Sequence, residues 1–192
     1  MNPVSEEATL ARAAAAGDRR AFTRLVELTK RPVHGLCLRL LGDAEEARDA
    51  AQESFVRAWA ALQSYDPGQP FAPWLLRIAR NHCIDLIRRR LPAAQRVELD
   101  AERGDGERPV EIPDPTAGRG DEAVERAQTT SALEEAVTRL PERYREVVHL
   151  FHVEQMSYKE IAATMEIPMG TVMTWLHRAR AQLRTELQGR DA

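Results

Sequence analysis

The stretch of residues 157–187 constrains the fold of this chain more than any other. It starts with Ser157, followed three residues later by Glu160, and this S-x-x-E spacing marks the beginning of a helix. The apolar periodicity that follows is interrupted by Pro168, which has no backbone N–H, and by Gly170, which tolerates conformations that other residues resist. The stretch therefore predicts a short helix, a tight turn and a longer second helix.

The second predicted helix, from Thr171 onward, has an apolar and a polar side. Its inward positions have helical spacing and are Val172, Leu176, Ala179 and Leu183. The positions that face outward or flank this seam are Thr174, His177, Arg178 and Arg180. The layout is typical of a helix-turn-helix whose second helix enters a DNA major groove. An ordinary helical hairpin in a bundle would show the same periodicity.

Composition favours an all-α, soluble chain. Aromatic residues make up only 5% of the 192 residues, and the Ala-, Leu- and Arg-rich segments favour helix. We find no long alternating apolar run that would indicate a sheet and no apolar stretch long enough to cross a bilayer. The acidic start lacks the apolar core of a secretory signal, and two cysteines make no disulfide framework. We therefore expect a cytoplasmic protein without membrane insertion.

Charge is distributed unevenly along the chain. Residues 96–130 carry ten acidic and five basic side chains, a net charge of −5, and they are rich in proline and glycine. The flanking parts are close to neutral, at +3 for residues 1–95 and −1 for residues 131–192. This pattern predicts two small helical domains, 1–95 and 129–192, joined by a flexible acidic linker at 96–128.

The beginning of the first domain predicts two helices. The first spans residues 5–16, and Asp18 caps the second. Pro32 lies inside the second helix and should kink it or break it near Lys30. Gly42 should end it.

A third helix begins at Asp43, with Glu46 as its capping-box partner. Its predicted buried face consists of Ala47, Ala51, Phe55, Ala58, Trp59 and Leu62. Its polar side carries Glu45, Asp49, Gln52, Glu53 and Arg57. Such a side is either a solvated helix surface or a docking surface for another protein.

A turn-rich loop at 63–73 precedes a basic helix. The predicted core stripe of this helix is Trp74, Leu75, Ile78, Ala79, Leu86 and Ile87. Its basic and polar residues are Arg77, Arg80, Asn81, His82, Arg88, Arg89 and Arg90. Arginines interleaved with aromatic residues suit single-stranded nucleic acid. A basic helix end that complements the helix dipole would explain only residues 88–90.

The second domain should begin with a helix from about residue 121 to 140 that buries Val124, Leu133, Ala136 and Val137. The histidines and cysteines do not form a set of four ligands with structural spacing, so we expect no metal. No phosphate-binding glycine loop and no nucleophile motif occurs, so we expect no enzymatic activity and no cofactor.

Three segments together resemble the bacterial RNA polymerase sigma factors of the sigma-70 family, extracytoplasmic-function (ECF, group-four) class. DAEEARDAAQESFVRAW resembles the core-binding helix of the family's second region, and FAPWLLRIARNHCIDLIRRR resembles its promoter-opening segment. The segment from LPERYREVV to WLHRARAQL resembles its fourth region. The resemblance covers nearly the whole chain.

The resemblance implies roles for individual residues. Asp49, Gln52 and Glu53, with Arg57 nearby, should dock on the core polymerase, on the coiled coil of its β′ subunit; the β subunit is the other expected core contact. Loop 64–73 with Arg77, Arg80 and Asn81 should capture flipped-out bases of the downstream (−10) promoter element. Arg88–Arg90 should hold the DNA backbone. In the second domain, Thr174, His177 and Arg178 should reach bases of the upstream (−35) element, and Lys159, Thr171 and Arg180 should contact phosphates.

The resemblance also implies an anti-sigma partner and a chain that does not form homo-oligomers. Relatives often carry basic residues where this chain has Met173 and Trp175, although a methionine can still contact a thymine methyl group. A stand-alone helix-turn-helix regulator that binds duplex DNA without polymerase is the alternative. It would leave the first domain unexplained, and residues 184–192 offer no obvious dimerisation extension. A third class, a protein-only adaptor, would make no DNA contact.

Overall fold

The computed structural model describes residues 3–91 and 126–188, and every regular element within these ranges is a helix. The all-α fold class is therefore confirmed. The chain divides into two compact units, of which the first contains residues 3–91 and the second most of residues 126–188. Most of the predicted linker at 96–128 lies outside the described residues, so its boundaries stay a prediction.

The first unit contains four α-helices: α1 (Pro3–Ala15), α2 (Arg19–Leu41), α3 (Ala44–Ala61) and α4 (Phe71–Arg90). A short 3-10 turn, Leu62–Ser64, follows α3. The α2 helix is central because it packs against α1, α3 and α4. The largest fully buried side chains of the unit are Leu25, Val33, Leu36, Phe71 and Leu75.

The predicted helix boundaries of the first unit are confirmed by their caps. The side chain of Asp18 accepts hydrogen bonds from the backbone N–H groups two and three residues later, at 2.8 and 3.2 Å. Gly42 ends α2 with a positive φ of 74°, where a side chain would be strained. Asp43 accepts from the N–H of Glu46 at 2.9 Å. The carboxylate of Glu46 forms an ion pair with Arg90 of α4, 2.6 Å between Nη2 and Oε1.

Pro32 does not break α2, which continues from Arg19 to Leu41. Of the two predicted effects of Pro32, a kink or a break near Lys30, the break therefore does not occur. A proline inside a helix costs one backbone hydrogen bond and a steric clash. Here the long helix is packed on three others, and that burial outweighs the local cost.

The buried face of α3 is made of small side chains. Ala47, Ala51, Ala58 and Leu62 are buried as predicted, and the sequence analysis missed Ala50 and Ser54. Trp59 was predicted to be buried but is 37% exposed, and its ring lies 5.0 Å from that of Phe22. Small residues let α3 approach α2 and α4 closely, and a large ring fits only at the edge of that contact.

The buried stripe of α4 is rotated relative to the prediction. Leu75 and Ala79 are buried as expected, whereas Trp74, Ile78, Leu86 and Ile87 are only half-buried. The fully buried positions also include Phe71, Leu76, Arg80, His82, Cys83 and Ile84. Because α4 packs against both α2 and α3, its contact face is wider than a single stripe.

Four further helices follow, and the second unit contains them except for residues 163–166: α5 (Arg126–Arg139), α6 (Glu142–His152), α7 (Tyr158–Met165) and α8 (Met169–Gln188). The α8 helix packs against α5 and α6. Ala136 is buried as predicted, but Leu133 is 41% exposed, so that prediction is wrong. Val124 lies outside the described residues. The apolar side chain of Leu133 in α5 thus faces solvent, although its helical spacing alone had placed it in the core.

The helix-turn-helix is confirmed, with a corrected turn. Ser157 and Glu160 form the capping box, with the Glu160 carboxylate accepting from the Ser157 N–H at 2.8 Å. The residue with positive φ is Glu166 (57°), and Gly170 lies in the first turn of α8, which begins at Met169. The turn closes when the N–H of Ile167 donates to the carbonyl of residue 162 at 3.1 Å. The conformational freedom of Gly170 is therefore not what makes this turn.

Candidate protein- and nucleic-acid-binding surfaces

A groove of about 560 Å³ lies between α3 and α4 of the first unit. Its α3 wall carries Asp49, Gln52 and Glu53, and all three are exposed. These are three of the residues predicted to dock on core polymerase, and helical spacing brings them onto one wall. The fourth, Arg57, is half-buried beside them, with its Nε 2.9 Å from Oε1 of Glu53.

Three further residues line the groove that were not predicted from the sequence. Val56 is 62% exposed, and His82 and Leu86 reach the groove from α4. The signal was present: Val56 follows Asp49 by seven residues and is the apolar exception on a charged helix side. The spacing of His82 and Leu86 by four residues places both on the same side of α4.

Charge and apolar surface are combined in this groove. Carboxylates dominate the α3 wall, and Arg90 closes one end through its ion pair with Glu46. Burial, reinforced by the positive charge of Arg57, lowers the pKa of His82 below its usual value, so this imidazole is uncharged at neutral pH. The groove therefore suits an elongated partner with basic side chains around an apolar centre.

The loop between the 3-10 turn and α4 is held by its own hydrogen bonds. The side-chain carboxylate of Asp66 accepts a hydrogen bond from the N–H of Gly68 at 2.9 Å. The backbone carbonyl of Asp66 accepts one from the N–H of Gln69 at 3.0 Å. The Tyr65 hydroxyl donates to the carbonyl of Gln69. The Tyr65 ring lies 5.0 Å from Trp74 in an aromatic cluster with residue 71. These contacts hold the loop in one conformation against the start of α4.

The basic residues of α4 do not form one surface. Arg77 and Asn81 are half-buried, whereas Arg80 is only 5% exposed. Arg80 follows Leu76 by four residues and precedes Cys83 by three, which places it on the buried side of the helix. Near the end of α4, Arg88 is half-buried and Arg89 and Arg90 are exposed. The accessible positive charge of α4 therefore lies at Arg77 and at the last turn.

The outer face of α8 carries some of the residues that were predicted to contact the upstream promoter element. His177 and Arg180 are exposed, Met173 and Arg178 are half-buried, and Lys159 is exposed at the start of α7. The spacing of Met173, His177 and Arg180 by four and three residues aligns them along one helix face. This face can present an imidazole, guanidinium groups and a thioether to a groove.

Two predicted DNA contacts on α8 are buried. Thr174 is 1% exposed, and its hydroxyl donates to the carbonyl of Gly170 at 2.9 Å. Thr171 is 9% exposed. Of the two predicted placements, outward or flanking the apolar seam, Thr174 therefore does not take the outward one, and its buried hydroxyl is satisfied by the preceding carbonyl.

Trp175 lies in the interior of the second unit, at 3% exposure. Its ring centroid is 6.4 Å from that of Tyr144 in an edge-on arrangement, and the guanidinium carbon of Arg143 is 5.9 Å from the Trp175 ring centroid. Trp175 is therefore a packing residue of this unit, whereas Met173 remains on the outer side of the helix.

A second cationic contact involves Arg180. Its guanidinium carbon lies 5.5 Å from the centroid of the Phe151 ring, and that ring stacks on Tyr158 at 5.3 Å. Burial, followed by the charge of Arg180, lowers the pKa of His152. The Arg180 side chain is thus held against α6 and α7 at the edge of the reading face.

Comparison with known proteins identifies the family. The model for sigma-70 region 2 matches residues 25–91, and the model for sigma-70 region 4 matches residues 130–183. These ranges contain the α3–α4 groove and the helix-turn-helix respectively. The chain belongs to the ECF class of RNA polymerase sigma factors, whose members are transcription initiation factors and not enzymes.

Three relatives illustrate the match. ECF RNA polymerase sigma factor SigW of Bacillus subtilis is 36% identical over 90% of this chain and 91% of its own length. RNA polymerase sigma factor CnrH of Cupriavidus metallidurans is 33% identical over 95% of both chains. RNA polymerase sigma-H factor of Pseudomonas aeruginosa is 34% identical over 90% of this chain and 89% of its own.

Solved structures agree with the fold. The structure of CnrH in complex with the cytosolic domain of CnrY is similar with a TM-score of 0.66 and 29% identity, over 96% of this chain and 98% of CnrH. RpoE of Bartonella quintana, in complex with the anti-sigma factor NepR, shares the fold with a TM-score of 0.61 and 23% identity, over 87% and 96% of the two chains. Within residues 3–91 and 126–188, no helix is long and apolar enough to span a membrane.

Proposed function

We propose that this chain docks on core RNA polymerase through the α3–α4 groove and directs initiation by contacting both promoter elements. The observation that carries the proposal is that Asp49, Gln52 and Glu53 line one open groove together with the apolar side chains of Val56 and Leu86. The coiled coil of the β′ subunit would present basic side chains to this wall and an apolar residue to Val56. The chain would act as a monomer in the cytoplasm, where the polymerase is, with the β subunit as a further contact.

Two DNA surfaces complete the proposal. Arg77, Asn81 and the preceding loop would receive unstacked bases of the downstream element, and the arginines of the last turn of α4 would hold phosphates. His177, Arg178 and Met173 would read the upstream element, with Lys159 and Arg180 on phosphates. Arg80, Thr171 and Thr174 would join only after their side chains leave their buried positions.

An anti-sigma partner would compete for these surfaces. The support is that the related CnrH is found in complex with CnrY. The stand-alone regulator is not favoured, because the match to sigma region 2 gives the first unit a role that a simple helix-turn-helix regulator would not need.

Run-off transcription with purified core polymerase tests the docking surface. Asp49→Arg places a positive charge on the groove wall and should abolish core binding and initiation, because it opposes the basic partner. Glu45→Arg is the matched control. It makes the same charge change on the same helix, but Glu45 pairs with Arg48 outside the groove.

Glu45→Arg should retain initiation, whereas Asp49→Arg should lose it. Equal core affinity of the two variants and the wild type would place the docking surface elsewhere. A wild-type chain that binds duplex DNA tightly as a dimer, without polymerase, would favour the stand-alone regulator.

A further inference from the structure

The start of α4 lacks a cap of its own. Its N-cap residue is Pro70, which has no side-chain acceptor for the backbone N–H groups of the first turn. The first N–H groups of an α-helix have no hydrogen-bond acceptor within the helix. A side chain just before the helix normally accepts a hydrogen bond from one of them. The first turn of α4 directly follows the loop assigned to downstream bases, so whatever caps it also holds the end of that loop.

The missing acceptor comes from α1. Oε1 of Glu7 accepts a hydrogen bond from the N–H of Ala72 at 2.7 Å, across 65 positions of sequence. Ala72 is the second helical residue of α4, the position that an N-cap side chain usually serves. A carboxylate at this end of a helix also interacts favourably with the helix dipole.

The same carboxylate lies beside the aromatic side of the loop. The pKa of Tyr65 is raised to about 12, by burial first and then by the negative charges of Glu7 and Asp66. The hydroxyl therefore stays protonated and keeps donating to Gln69. The Tyr65 ring also packs on Trp74 in α4, which connects the loop to the first turns of the helix.

We propose that Glu7 is a positioning residue for downstream-element recognition, which caps α4 from α1 and holds the loop of residues 65–70 in the conformation that receives an unstacked base. This role rests on the proposed function of the loop. A loop that is ordered in advance avoids the ordering cost when the base binds. Without the Glu7 acceptor, that cost would fall on the DNA-binding step.

Three variants of the full chain test the role. Glu7→Ala removes the acceptor, and Glu7→Gln keeps a carbonyl oxygen at the same place. Glu6→Ala is the matched control, because Glu6 is the neighbouring glutamate on α1 and pairs with Arg24 of α2, 3.4 Å from Oε1 to Nε, instead of capping α4.

Two measurements are made on each variant. Amide hydrogen exchange at Ala72 by NMR in the free chain should be faster in Glu7→Ala by about fivefold, the factor that one N-cap typically supplies, and close to wild type in Glu7→Gln and Glu6→Ala. With core polymerase loaded, Glu7→Ala should weaken binding of a fork-junction DNA carrying the downstream element by about the same factor. Its affinity for core polymerase and for the upstream duplex should not change.

Different results overturn different claims. Unchanged exchange at Ala72 in Glu7→Ala, an equal loss in Glu6→Ala, or an equal loss of core and upstream binding overturns the positioning role. Failure of Glu7→Gln to restore downstream binding also overturns it. A wild-type chain that does not load on core polymerase instead overturns the proposed function, and the role with it.

Discussion

A small cluster of Arg143, Tyr144 and Trp175 joins α6 to α8. The Arg143 guanidinium carbon lies 5.2 Å from the centroid of the Tyr144 ring and 5.9 Å from that of Trp175. Cation–π contacts in partly desolvated sites stabilise by about 0.5–2 kcal/mol, so burial of the Trp175 ring is the larger contribution. Trp175 Nε1 is buried and has no hydrogen-bond partner among the described residues, so the residue serves packing alone.

Trp175→Ala should therefore lower the free energy of unfolding of the second unit by about 3–5 kcal/mol, as expected for a large ring removed from a core. Trp175→Phe should cost less, because a ring remains in the cavity. Urea denaturation followed by far-UV circular dichroism measures both. Trp59→Ala is the comparison for a 37%-exposed ring and should cost much less. Similar losses for Trp59→Ala and Trp175→Ala would contradict the packing role.

At the scale of the helix, we propose that α8 separates base reading from phosphate binding along its outer face. His177 is exposed on that face, Arg178 is half-buried about 100° further around the helix, and Arg180 lies against Phe151. An arginine that forms a bidentate contact with a guanine contributes to sequence discrimination, whereas an arginine on a phosphate contributes equally on every sequence.

Arg178→Ala should weaken binding of the upstream element by about 1–3 kcal/mol and relax discrimination at one base pair. Arg180→Ala should weaken all sequences alike and reduce the slope of log affinity against log salt by about 1. Fluorescence anisotropy of polymerase-loaded protein on matched and mismatched duplexes, at several salt concentrations, distinguishes the two. Loss of discrimination in Arg180→Ala, with none in Arg178→Ala, would reverse the assignment.

The stability of the whole molecule should depend on two histidines, one in each unit. The pKa values of His82 and His152 are both lowered, mainly by desolvation and further by Arg57 and Arg180 respectively, and the contribution of the exposed His152 is the smaller because solvent screens it. Above the unfolded pKa of 6.5, both histidines are neutral in the folded and unfolded chain. Below it, the unfolded chain binds more protons than the folded chain, so stability decreases as the pH falls through the lowered values.

The His82→Gln, His152→Gln double variant should lose less stability than the wild type between about pH 7 and pH 5, since neither glutamine titrates. Urea midpoints measured across this range provide the comparison, and each single variant should show an intermediate slope. A double variant with the wild-type slope would assign the acid sensitivity to carboxylates instead.

The local signals in the chain were sufficient to place the helices and to identify the capping residues that begin three of them. Asp18, Asp43 and Ser157 cap helices because a short polar side chain can reach the free N–H groups of the following turn, and nothing distant is needed. The spacing of Asp49, Gln52 and Glu53 likewise puts these residues on one helix side in any fold. The family resemblance followed from such motifs in order along the chain.

The features that depend on contact between two helices were decided by the tertiary structure. Pro32 stays inside a helix because three neighbours hold α2, and Arg80 lies on the buried side of α4 because that helix packs on two sides. Thr174 and Trp175 point away from the expected DNA face, since α8 also has to cover α5 and α6. The hydrogen bond from Ala72 to Glu7 spans 65 positions, so no local pattern could have indicated it. Periodicity shows which side of a helix is apolar. Only the packing of neighbouring helices determines how much of the helix surface is buried and which distant side chain caps the helix.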